Sequence, residues 1–117
     1  MLAISDADIR TALHGTRLKA YRTAPDTLVV DELGLAHAKA RIDIAVINGC
    51  IHGYEIKSSL DKLDRLPSQL DLYRRCLSKL TLVVAPKHVN GTQKIAPIGA
   101  ESSRLRKDCV APSASRP

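Results

Sequence analysis

The sequence predicts an α/β domain in which helices flank a mixed central sheet, in the order αβββαβ. Three observations carry that expectation. Residues 28–35, 41–47 and 51–59 read as three apolar strands, the last two joined by Asn48-Gly49. Leucines then recur at steps of three and four, which is the stripe of one amphipathic helix. A second apolar run, "LTLVVAP", follows that helix, so the strand it forms returns by a helical crossover and lies parallel to a neighbour.

The elements follow in order. Ser5 and Asp8 form an S-x-x-D capping signature, and Ile9, Ala12 and Leu13 give the helix behind it a buried stripe over residues 5–19. "TAPDT" at 23–27 is a turn, because Pro25 fixes its backbone and Asp26 favours local hydrogen bonding. "LVVDELGL" is the first strand, despite its polar pair Asp31-Glu32. Asn48-Gly49 is the strongest hairpin signal in the chain, since both residues accept positive φ. Parity constrains that hairpin. A two-residue loop sends Asp43 and Glu55 to opposite faces, whereas a three-residue loop or a bulge pairs Ile47 with Ile51 and sets Asp43 beside Glu55. Leu63, Leu66, Leu70, Tyr73, Leu77 and Leu80 mark the second helix, placed at 65–79 with Asp64 as N-cap and Pro67 in its first turn.

The 117 residues suffice for one domain with a modest core. Residues 1–89 are expected to form that core, and 90–117 a poorly ordered or divergent basic tail rich in Ser and Pro. No apolar run approaches the ~20 residues of a membrane span. "MLAISDADIR" is acidic where a signal peptide is basic and then apolar, so a cytoplasmic location is expected. Cys50, Cys76 and Cys109 are odd in number and lack C-x-x-C spacing, which disfavours a disulfide framework or a zinc site. The formal charge of +6 favours an anionic partner.

The polar residues on the hairpin suggest chemistry. Glu55 and Lys57 alternate along one strand and share a face. With Asp43 alongside, two carboxylates repel unless one is protonated or a cation intervenes. Mg²⁺ or Mn²⁺ suits such oxygen ligands, with the Ile56 carbonyl as a further donor and retained waters leaving room for a phosphate oxygen. Lys57 would then assist an attacking water, so the expected reaction is metal-assisted phosphodiester hydrolysis. The rival interpretation places the same acids on an ordinary solvated sheet face.

Asp43 and Glu55-Ile56-Lys57 across a hairpin, in an αβββαβ order, resemble the PD-(D/E)XK, or restriction-endonuclease-like, nuclease superfamily. The resemblance covers residues 5–88 and implies an Mg²⁺-dependent deoxyribonuclease of bacterial mobile elements. By that resemblance Asp43 and Glu55 bind metal, and Lys57 is the catalytic lysine. Glu32 matches an extra acid that touches metal directly or through water. Gln69 and Tyr73 match the Q-x-x-x-Y helix of RecB-like nucleases, which contacts DNA or supports the site. Arg65 is the preferred phosphate contact. DNA is the expected partner, with no membrane. A homodimer or partner subunit is expected to cover an incomplete C-terminal core. The alternative function is a catalytically inactive nucleic-acid-binding or assembly module of the same fold.

Overall fold

A computed structural model of the chain describes residues 4–96. The elements are helices α1 (Asp6–Gly15) and α2 (Lys19–Thr23), strands β1 (Leu28–Leu35), β2 (Ala40–Ile47) and β3 (Ile51–Lys57), helix α3 (Leu66–Cys76), strand β4 (Lys79–Val84) and helix α4 (Val89–Ile95). A 3₁₀ turn over Pro86–His88 leads into α4. The sheet has the order β1-β2-β3-β4, antiparallel except for the parallel β3–β4 pair made by the α3 crossover. It is thus a mixed sheet with helices, the expected class. No helix among the described residues is long and apolar enough to cross a membrane.

The capping box opens α1 as the sequence implies: Asp8 N–H donates to Ser5 Oγ at 3.1 Å, and Ser5 N–H donates back to Asp8 at 3.3 Å. The helix does not run to residue 19. It stops at Gly15, where Thr16 turns its hydroxyl back to the Ala12 carbonyl at 2.6 Å. The break has a packing reason. It lets Leu18 swing fully inside, against Ile9, Leu13, Ile44, Val46, Tyr54 and Ile56.

The opposite face of the sheet is covered by α3. Its stripe of Leu66, Leu70 and Tyr73 packs with Leu77 and Leu80 on Leu35, Ile42 and Ala45. The helix is shorter than 65–79, because Leu77 turns extended and β4 starts at Lys79. Arg65, not Asp64, is the N-cap, and it caps with no side-chain hydrogen bond. The folded part continues beyond residue 89, since α4 buries Thr92, and Ala96 joins the α3 core. The remainder of the expected tail, 97–117, lies outside the described residues.

The hairpin takes the three-residue loop. Ile47 pairs with Ile51, Gly49 takes φ 95°, and Asn48 N–H donates to the Cys50 carbonyl. On β3 the odd residues therefore face α3 and the even ones face α1. Gly53 is the close-approach point on the α3 side. A Cβ there would meet Leu77 Cδ1 at 2.7 Å and Ile42 Cγ1 at 2.9 Å.

The outer ribbon changes faces midway. On β1, Val29 packs with the α1 cluster, yet Leu33 and Leu35, of the same parity, pack with the α3 cluster. On β2 the even residues switch likewise: Ala40 and Ile42 lie on the α3 side, Ile44 and Val46 on the α1 side. Glu32 sits at the switch with φ 58°, a left-handed conformation that reverses which way the next side chain points. The far half of the ribbon consequently curls over α3. Gly53→Ala should lower stability by about 1–3 kcal/mol through overpacking at this seam, read as a lower urea midpoint at an unchanged slope.

Candidate functional site

The ladder between β2 and β3 ends at Ile44 and Tyr54. One step further Asp43 stands across from Glu55, and there a side chain replaces the backbone. Ile56 N–H donates to Asp43 Oδ2 at 2.7 Å. Burial raises the Asp43 pKa, although the Ile56 N–H and Arg10 oppose that rise.

Glu55 is 4% exposed and faces α3. Tyr73 Oη donates to its Oε1 at 2.9 Å, and Gln69 Nε2 lies 3.4 Å from its Oε2. Lys57 Nζ is 3.5 Å from that same oxygen and donates to Gln69 Oε1 at 3.0 Å. Gln69 therefore bridges the buried acid and the buried ammonium. Burial, and then the charge of Asp43, push the Glu55 carboxyl up to about 7, against the opposing effects of Tyr73 and Lys57. Burial and Glu55 also raise the Tyr73 hydroxyl, so it remains a donor.

Arg10 of α1, which the sequence did not single out, holds the other side. Its Nη1 donates to the Asp43 carbonyl at 2.9 Å, its Nη2 to Glu32 Oε2 at 2.8 Å, and its Nε to Asp6 at 3.2 Å. The same Nη2 lies 3.6 Å from Asp43 Oδ1. Only a capping box at α1 and a single arginine one turn later hinted at this role. Glu32 gives its second oxygen to Arg41 Nε at 3.1 Å, so both of its oxygens are held by arginines.

These residues border a cleft of about 590 Å³ between the β1–β2 ribbon and α3. Lys39 and Arg41 come from the ribbon, Arg65, Gln69 and Arg75 from the α3 side, and Asp43, Glu55 and Lys57 from between them, while Asp6, Glu32, Asp61 and Asp71 add four further acids to the lining. Asp43, Glu55, Ile56, Lys57, Gln69, Glu32 and Arg65 thus border one space, while Tyr73 lies buried behind Glu55. Among the described residues, no three His, Cys, Asp or Glu side chains converge as a metal cage. Asp43 and Glu55 alone suit an ion such as Mg²⁺ that takes one or two carboxylates and keeps its waters.

The raised Glu55 value has a pH consequence. The folded state binds this proton more tightly than the unfolded chain, so its stabilising effect is full below the ordinary value of about 4.5 and fades as pH rises through about 7. Unfolding free energy should fall across that window by roughly 3–4 kcal/mol. Glu55→Gln should flatten the slope, which urea titrations at successive pH values would read.

Comparison with known proteins corrects the expected family. The bacteriophage P4 protein cII family matches residues 5–108. The "Protein cII" of Enterobacteria phage P4 is 36% identical over 69 residues, covering 59% of this chain. The match spans 26% of that relative's length. No solved structure matches. These findings overturn membership of the PD-(D/E)XK superfamily, and with it the expectation of an Mg²⁺-dependent deoxyribonuclease, hydrolase or endonuclease. The physical reason for the misreading is that D…E-x-K and Q-x-x-x-Y are short patterns. In this chain the three-residue hairpin and the crossover helix bring them together as a buried hydrogen-bonded network. The chain belongs to the bacteriophage P4 protein cII family.

Proposed function

We propose that this chain is a non-hydrolytic nucleic-acid-binding module that acts in the cytoplasm and grips the phosphate backbone of DNA at the cleft beside α3. The carrying observation is that Lys39, Arg41, Arg65 and Arg75 line one cleft over Asp43, Glu55 and Lys57, with Arg41 held by Glu32, Arg75 held by Asp71, and Asp6 and Asp61 also on the lining. Guanidinium groups suit phosphate oxygens by charge and by their forked donors. The formal charge of +6 supports the same partner. The proposal extends to architecture: the αβββαβ core is a restriction-endonuclease-like scaffold in shape, used for binding.

Mg²⁺ or Mn²⁺ forms part of the proposal. An acidic floor repels phosphate, and an ion held by Asp43 and Glu55 would turn that repulsion into a bridge. Lys57 and Gln69 keep Glu55 oriented, while Tyr73 holds its far oxygen. A second subunit is proposed at the outer edge of β4, which pairs with no further strand among the described residues.

Fluorescence anisotropy with a labelled duplex of about 20 base pairs tests this reading. Affinity should fall with salt at a log–log slope of about −3, as expected for roughly three phosphate contacts, those of Arg41, Arg65 and Arg75. Arg41→Ala, Arg65→Ala and Arg75→Ala should each flatten that slope by about one. At constant ionic strength, Mg²⁺ should strengthen binding by the wild type and leave Asp43→Asn unaffected. No binding at low salt would refute the proposal.

A further inference from the structure

The curled end of the β1–β2 ribbon has a shape and composition that the cleft alone does not explain. β1 and β2 pair along their full lengths, whereas β3 covers only residues 44–47 of β2. The half that holds residues 33–35 and 40–42 is therefore a two-stranded arm, packed on α3 by Leu33, Leu35, Ala40 and Ile42. Residues 33–42, "LGLAHAKARI", contain no acid. Small residues Gly34, Ala36, Ala38 and Ala40 alternate there with His37, Lys39 and Arg41. His37, Ala38, Lys39 and Arg41 are exposed.

The tip also holds an uncommon backbone. Ala36, His37 and Ala38 take φ 51°, 59° and 66°, three consecutive left-handed residues without a glycine. Each such residue costs about 1–2 kcal/mol, and strain of this kind collects where a surface is shaped for contact. The tip narrows to alanine side chains, and its basic groups stand on the residues between them. Lys39, Ala40 and Arg41 also line the cleft, so the root of the arm meets the proposed phosphate grip.

We infer that the arm enters the major groove of duplex DNA, with His37 and Lys39 reaching the base edges while Arg41, Arg65 and Arg75 hold the flanking backbone. This rests on the nucleic-acid-binding reading above. A two-stranded ribbon fits the ~12 Å major groove and is too thick for the ~6 Å minor groove. Alanines at the tip keep the profile narrow. Lys39 matches the N7 and O6 acceptors of guanine, and His37 supplies a ring nitrogen for a neighbouring base. The partner is thus a duplex and not a single strand, which offers no groove.

The test compares duplex and single-stranded DNA of equal length, with wild type, His37→Ala/Lys39→Ala, and a form whose residues 36–39 are replaced by Asn-Gly. That replacement closes the ribbon with a two-residue hairpin turn, and thermal melts check that it stays folded. Both altered forms should lose at least about tenfold on the duplex, yet less than about threefold on the single strand. Equal losses on both would make the tip a mere phosphate contact and overturn the inference while leaving the cleft proposal standing. Unchanged duplex binding by the folded His37→Ala/Lys39→Ala form would overturn it as well. Failure of the wild type to bind either DNA would refute both.

Discussion

The arrangement depends on one hydrogen bond, from the Ile56 amide to the Asp43 carboxylate at 2.7 Å. Where β2 bends away from β3, the β3 edge would expose a buried amide, and an unpaired buried N–H costs about 1–3 kcal/mol. Asp43 fills the gap with a side chain, so the strands can part without leaving that donor orphaned. The parting then allows the ribbon to change faces at Glu32 and to wrap α3. The same bend opens the cleft. Fold and site therefore share a cause, and neither would survive a straight β2.

Charges are organised around that bend in two tiers. Arg10 collects Asp6, Glu32 and both the carbonyl and carboxylate of Asp43, and so ties α1 to the sheet at the point of departure. Behind it, the pair Glu55 and Lys57, each about 5% exposed at the side chain, is linked through Gln69 and closed by Tyr73. An ion pair removed from water gains little net stability unless its remaining hydrogen-bonding positions are satisfied. Here they are filled from one turn of α3, which explains why Gln69 and Tyr73 lie one turn apart and face the same strand. The acid still carries an elevated pKa, so the floor of the cleft is its most electrostatically unsettled part.

The proposed binding role uses this asymmetry. The cleft mixes acids with arginines along its lining, so bare phosphate meets repulsion as well as attraction there, and a divalent ion would resolve that conflict. The arm adds shape to charge, since the electrostatic rim is blind to sequence while a ribbon in a groove reads it. Membership of the phage P4 cII family is consistent with a binding protein of this kind and removes the ground for a hydrolytic one. The short acid–lysine pattern that suggested hydrolysis is accounted for by the buried network itself.

Much of the local structure was legible in the chain. The Ser5–Asp8 capping box, the Asn48-Gly49 hairpin, the leucine stripe of α3 and the parity linking Asp43 to Glu55 depend on near neighbours, whose geometry follows from fixed helical and strand periods. The grouping of Asp43 with Glu55 needed the three-residue loop, which the sequence left open, and Gln69 and Tyr73 were singled out by the family resemblance; the folded chain brings the five together. Tertiary structure alone decided the break after Gly15, the turn of Glu32 into positive φ, the gathering of acids by Arg10 and the extension of the core through α4. Each of these is a compromise among groups distant in sequence: Leu18 needs the α1 face of the core, and the ribbon needs the α3 face. No local pattern encodes which of two apolar surfaces a strand will cover, because burial rewards contact area and is indifferent to where in the chain that area comes from.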